Sequence, residues 1–206
     1  MNKAIFLDRD GTINEEVNYL SDPEDLRLLP RVAEAIRMLN EAKYKVIIIT
    51  NQSAIARGFL TIEKLNKIHE KLLMLLDEEG AKIDAIYYCP HHPNENCKCR
   101  KPKPGLILKA SKEHNISLSE SYMIGDKLID IEAGKNAGCI TILVRTGYGE
   151  KEIRMLANIL TIFGHGKDPS IALNALDETV RPSSFLSGST PHSKKVMNFY
   201  RTLLIE

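Results

Sequence analysis

Lys3-Ala4-Ile5-Phe6-Leu7-Asp8-Arg9-Asp10-Gly11-Thr12 opens the chain with a short apolar run that stops on two carboxylates one residue apart. A run of four apolar residues bounded by charge fits a strand buried on both faces. It is too short for the apolar segment of a signal peptide or for a membrane span. Gly11 permits the sharp turn that takes the chain off the strand. A strand ending in Asp-x-Asp-Gly therefore places two acids at the carboxyl edge of a sheet.

Working outward, the same alternation recurs. Candidate strands are Lys3–Leu7, Val46–Thr50, Ala85–Cys89, Tyr122–Gly125 and Ile140–Val144, separated by helical patterns at Pro30–Ala42, Thr61–Glu79, Gly105–His114 and Asp130–Ala137. Leu65, Ile68, Leu72, Leu75 and Leu76 carry the spacing of a helix with one buried face. Buried strands joined by helical crossovers predict an α/β fold, a doubly wound parallel sheet with helices on both faces. Such folds collect ligands at the carboxyl ends of their strands. Asp8 and Asp10, then Thr50-Asn51-Gln52, then Asp126 all fall there. The core is expected over 1–150, or on to about residue 178, with 179–206 as a C-terminal extension. Within the tail, Asn158–Phe163 reads as a sixth strand, Ser170–Asp177 as a short helix and Val196–Ile205 as a closing helix, with loop between.

Lys plus Arg (28) against Asp plus Glu (27) leaves a net charge of +1. That balance gives no reason to expect nucleic acid or an acidic membrane as partner, so any anionic substrate must be met by locally placed cations.

The two carboxylates after the first strand can divide a phosphoryl transfer between them. Asp8 serves as a nucleophile that forms an aspartyl phosphate, and Asp10 protonates the leaving alcohol and then deprotonates water. Two carboxylates repel a phosphate, so a divalent cation is required, and Mg²⁺ fits oxygen ligands best. Asp126, in Gly125-Asp126-Lys127-Leu128-Ile129-Asp130, supplies a third carboxylate, with Asp130 supporting the site. Thr50 and Lys101 offer fixed donors for the charge on the transferred group. Taken singly, each motif has a plainer reading: Asp-x-Asp and Gly-Asp as turns, Thr-Asn as a helix cap, Arg100-Lys101-Pro102-Lys103 as a solvated patch. Their joint occurrence, each after a strand, argues for the site.

Cys89-Pro90-His91-His92-Pro93 and Cys97-Lys98-Cys99 place three thiols and two imidazoles within eleven residues. In a reducing cytoplasm, the expected location, such a cluster favours metal over disulfides. Three thiolates and one imidazole form the closed tetrahedral set that structural Zn²⁺ prefers. Cys139 reads as a small core residue.

The order Asp8-x-Asp10-Gly11-Thr12, Thr50-Asn51-Gln52-Ser53, Cys97-x-Cys99-Arg100-Lys101-Pro102 and Gly125-Asp126 resembles the haloacid dehalogenase superfamily. More narrowly, it resembles the group of D-glycero-D-manno-heptose 1,7-bisphosphate 7-phosphatases and histidinol-phosphate phosphatases, over Lys3 to Gly149. The resemblance implies a haloacid dehalogenase-like Rossmannoid without a large cap domain. It implies Mg²⁺ on the Asp8 side chain, the Asp10 backbone carbonyl and Asp126, and Zn²⁺ on Cys89, His91, Cys97 and Cys99, with His92 the near miss. It also implies Arg100 as a substrate-recognition residue and Glu16, Val17, Asn18, Tyr19, Asn51, Gln52 and Ser53 around the substrate.

The expectation is a phosphatase acting on the 7-phosphate of the heptose bisphosphate, because the chain carries no second enzyme domain. The alternatives are histidinol phosphate as substrate or, in a different class, a non-catalytic sugar-phosphate-binding protein. The expected partner is a small sugar phosphate, and the expected state a monomer.

Overall fold

The computed structural model describes residues 1–162 of the 206-residue chain. The element order is β1 (Ala4–Leu7), α1 (Val32–Glu41), β2 (Lys45–Asn51), α2 (Ile62–Glu78), β3 (Ala85–Cys89), α3 (Gly105–His114), β4 (Tyr122–Gly125), α4 (Leu128–Ala137), β5 (Ile140–Leu143) and α5 (Gly149–Ile162). All five strands pair in parallel, in the order β3-β2-β1-β4-β5.

Side-chain alternation along the strands feeds two cores, one on each face. Ile5, Leu7, Val46, Ile48 and Ile124 pack with Ile36 and Leu39 of α1 and Leu65, Ile68 and Leu72 of α2. Ala4, Phe6, Ile47, Ile49 and Met123 pack with Leu106, Ile107 and Ala110 of α3 and Ala133 of α4. The sheet is therefore covered on both sides, as its continuous apolar strands require. The α2 stripe Leu65, Ile68, Leu72 and Leu76 is fully shielded from water, and each such side chain contributes roughly 1.5–3 kcal/mol of burial. The Lys64 N–H donates to the Thr61 side chain at 3.2 Å and caps the first turn of α2.

This topology positions the chemistry. Chain order runs outward from β1 in one direction to β2 and β3, and in the other to β4 and β5. The connections leaving β1 and β4 diverge, which opens a crevice at their carboxyl ends. Asp8 and Asp126 directly follow those two strands. Between β3 and α3 lies only the loop 90–104, with a single 3₁₀ turn at Pro93–Glu95.

One expected element is corrected. The predicted strand at Asn158–Phe163 is not formed: α5 runs through Ile162, and residue 150 lies in its first turn. The β-branched cluster there invites a strand reading. The longer sequence, however, spaces Ile153, Leu156, Ala157 and Leu160 by three and four residues, the helical period. Glu150 and Arg154 also pair one turn apart at 3.0 Å. The short helices expected at Ser170–Asp177 and Val196–Ile205 lie outside the described residues. Among the described residues, no helix is long and apolar enough to cross a membrane.

Candidate active site

At the carboxyl edge of the sheet lies a cleft of about 260 Å³ bordered by Asp8, Asp10, Glu16–Tyr19, Thr50–Ser53, Arg100 and Lys101. Every residue expected from sequence to touch the phosphoryl group or the substrate borders this one space. Asp126 lies beneath it, fully buried.

Lys101 is the centre of charge. Its Nζ lies 2.8 Å from Asp8 Oδ1 and 2.6 Å from Asp130 Oδ1, and donates to the Ile49 carbonyl at 2.8 Å. An ammonium has three donors, and all three are taken. Burial alone would lower its pKa, but the charges of Asp130 and Asp8 prevail and hold it above the ordinary lysine range. Asn51, at the end of β2, fixes the strand of chain that carries this lysine. Its side-chain amide donates to the Lys101 carbonyl at 3.2 Å and accepts from the Lys101 N–H at 3.1 Å.

Asp10 is held from several directions. Arg9 is fully buried beside it and donates from Nε and Nη2 at 2.9–3.1 Å. Asn14 donates to Oδ1 and Gln52 to Oδ2, both at 3.0 Å. Gln52 also donates to Thr50 Oγ1 at 2.9 Å, linking the two. Burial would raise the Asp10 pKa, but Arg9, Asn14 and Gln52 together hold the carboxyl below its usual range. Asn51 and Gln52 thus border the cleft with their amides already engaged by the protein.

Asp126 is approached on one side by backbone. A Cβ at Gly11 or at Gly147 would lie 2.3 Å from Asp126 Oδ2, and both glycines have positive φ, so only glycine admits this contact. The Tyr148 N–H donates to the same oxygen at 2.9 Å, while Oδ1 is buried without a partner. Burial first, and then the charge of Asp8, push the Asp126 pKa up to about 7. Carboxylate oxygens of Asp8, Asp126 and Asp130 lie within 4.8 Å of one another. Three crowded acids, with Asp126 Oδ1 orphaned, form a donor set suited to a hard divalent cation.

A second cluster stands at the rim. Ligand atoms of Cys89, His91, Cys97 and Cys99 also lie within 4.8 Å of one another. The three sulfurs are 3.2–3.5 Å apart, and His91 Nδ1 is 3.2 Å from Cys99 Sγ. Zinc–thiolate bonds of about 2.3 Å give a tetrahedral edge of roughly 3.8 Å, near these separations. His92 is turned elsewhere: its ring accepts from the Asn94 N–H at 3.3 Å and caps the 3₁₀ turn.

Sequence reading passed over Arg9, Asn14, His69, Lys127 and Tyr148. Lys127 borders the cleft, 2.7 Å from Glu16, and its ammonium lies 4.6 Å from the centre of the Tyr148 ring. Arg100 borders it too, with Nη1 buried and unpartnered. The available signal for Lys127 was its place next to Asp126; nothing local marks the others.

The profile of the HAD-hydrolase-like family matches residues 98–159. A D-glycero-β-D-manno-heptose-1,7-bisphosphate 7-phosphatase of Helicobacter pylori (strain J99) is 50% identical over 137 residues, 66% of this chain and 79% of that protein. The protein of the same name from Haemophilus ducreyi is 41% identical over 171 residues, 77% of this chain and 94% of that protein. Among solved structures, the D,D-heptose 1,7-bisphosphate phosphatase of B. bronchiseptica, complexed with magnesium and phosphate, superposes with a TM-score of 0.71 at 34% identity. That match covers 85% of this chain and 99% of the other.

Proposed function

The chain belongs to the haloacid dehalogenase-like phosphatases, in the family of the heptose-1,7-bisphosphate 7-phosphatases, and from that premise we propose that it hydrolyses the 7-phosphate of D-glycero-β-D-manno-heptose 1,7-bisphosphate. The observation that carries this reading is the pairing inside one cleft of Asp8 against Lys101 at 2.8 Å with an unpartnered Arg100 guanidinium nitrogen. The first pair suits the phosphoryl group that is cleaved. Arg100 is free to form charge-assisted bonds with the phosphate that is kept.

In the first step a carboxylate oxygen of Asp8 attacks phosphorus, and the bond from phosphorus to the C7 oxygen breaks. Asp10 gives that oxygen its proton. The resting Asp10 is ionised, and it takes up this proton when the anionic phosphoryl group enters beside it and raises its pKa. In the second step Asp10 removes a proton from water, whose oxygen attacks phosphorus and breaks the bond to Asp8. Lys101 and the donors at Thr50 stabilise the charge on the phosphoryl oxygens in both steps. Mg²⁺ would be held by the Asp8 and Asp126 side chains and the Asp10 backbone carbonyl, where it supplies the positive charge that lets carboxylates and phosphate approach. Asp130 keeps Lys101 charged and in place. Zn²⁺ would be held by Cys89, His91, Cys97 and Cys99 and would fix the loop that carries Arg100. Four unbridged cysteines fit work in a reducing cytoplasm.

The test is phosphate release from both heptose bisphosphate anomers, histidinol phosphate and an aryl phosphate. The β-bisphosphate is expected to be the best substrate by at least tenfold in kcat/KM, which is about 1.4 kcal/mol. Preference for histidinol phosphate would refute the substrate. Absence of release from all four would favour a binding protein.

A further inference from the structure

We propose that Arg9 is a positioning residue for Asp10, and that His69 is the acceptor that holds the Arg9 guanidinium in register. The proposal rests on the reading of Asp10 as proton donor and acceptor. It extends the site from the sheet edge back to a residue of α2.

The geometry is that of a buried chain of three groups. Arg9 is fully buried and His69 is 8% exposed. Arg9 presents one edge of its fork to Asp10, with Nε 3.1 Å and Nη2 3.0 Å from Oδ1 and Nη2 2.9 Å from Oδ2. The remaining nitrogen, Nη1, lies 3.2 Å from His69 Nε2. A guanidinium has no acceptor, so this contact requires a neutral ring with its lone pair on Nε2. Burial, and then the charge of Arg9, keep His69 neutral by pushing its pKa down to about 4. The Tyr88 ring, 6.0 Å away, borders the imidazole.

Without His69, one donor of a buried cation would be orphaned, and the fork would be free to rotate toward another acceptor. Without the fork, Asn14 and Gln52 would hold the Asp10 carboxylate with one donor each. Asp10 has to deliver a proton to one oxygen of the substrate, and a misplacement on the order of 1 Å is enough to cost about a hundredfold in rate. A lysine at position 9 would keep the charge and lose the planar two-point grip.

The discriminating measurement is single-turnover formation of the aspartyl phosphate by rapid quench, with heptose bisphosphate and with p-nitrophenyl phosphate. The sugar alkoxide needs protonation as it leaves; the nitrophenolate needs little. Arg9→Lys is expected to slow the sugar reaction about a hundredfold and the aryl reaction less than about threefold, with little change in the half-saturating concentration of either. His69→Leu is expected to slow the sugar reaction about tenfold with the same selectivity. His69→Gln, whose amide oxygen can accept in place of Nε2, should restore most of that loss. If Arg9→Lys does not fold, the His69 pair decides alone. Equal loss on both substrates, no loss on either, or failure of His69→Gln to recover activity overturns the proposal. Asp10→Asn run alongside separates the two readings: if that variant shows no leaving-group dependence, the assignment of Asp10 itself fails. If it does and the Arg9 and His69 variants do not, only the positioning chain fails.

Discussion

The carboxylate cluster under the cleft and the cysteine loop at its rim are assembled in opposite ways. Asp8 comes from the end of β1, and Asp126 and Asp130 come from the end of β4 and the first turn of α4, over a hundred residues later in the chain. All three are buried, and Lys101 is already among them. The framework that holds them is the sheet itself. Cys89, His91, Cys97 and Cys99 come from eleven consecutive residues that include only one 3₁₀ turn beyond the end of β3. On this account the first cluster needs its cation for chemistry, and the second needs its cation for shape. A short polar loop with a single 3₁₀ turn has little regular structure to order it.

The larger effect expected from that contrast is at the loop. Replacing Cys97 and Cys99 together by Ser should abolish a zinc content of about one per chain. It should lower activity on the sugar bisphosphate by roughly tenfold to a hundredfold, because Arg100 loses its anchor. Far-UV circular dichroism should remain that of the intact sheet. Elemental analysis and steady-state kinetics check this, and a fully active, zinc-free double variant would break the comparison.

A smaller effect sharpens the other side. The Asp126 pKa is raised from 3.8 to about 7 in the folded protein. A raised folded pKa means that the protonated form favours folding. In metal-free protein this contribution is complete below about pH 4 and is lost as pH climbs through about 7. Mg²⁺ competes with that proton and requires the ionised form. Saturating Mg²⁺ should therefore raise the Tm by a few degrees more at pH 8 than at pH 5.5, and Asp126→Asn should remove the difference. Equal shifts at both pH values would contradict the placement of the ion.

What could be read from the sequence follows the same division. Among the described residues, the strands, four of the five α-helices and the Cys-x-His and Cys-x-Cys pairs are local patterns, visible in a window of ten or so residues. Thr50 and Asp126 were legible because they stand at the carboxyl ends of strands that the fold class already marks, and Lys101 because it stands in the Arg100-Lys101-Pro102 run. Arg9 was not, although it sits inside the motif, because a residue between two acids reads as a spacer until its side chain is seen folding back on one of them. His69 lies on the buried stripe of α2 between Ile68 and Leu72, where a histidine reads as core. Only the packing of α2 against one face of the sheet brings it to Arg9. The missed helix α5 shows the converse error, in which a six-residue β-branched window outweighed the longer helical period around it.

The central claim is that Asp8 takes the phosphoryl group. Acid-quenched reaction mixtures of enzyme and heptose bisphosphate, digested and read by tandem mass spectrometry, test it directly. A phosphoryl adduct is expected on Asp8, formed and lost at rates that match turnover, and absent in Asp8→Asn, whose turnover should fall by about a thousandfold or more, on the order of 4 kcal/mol. Continued turnover by Asp8→Asn above about a tenth of the wild-type rate, or an adduct that maps to any other residue, would contradict it.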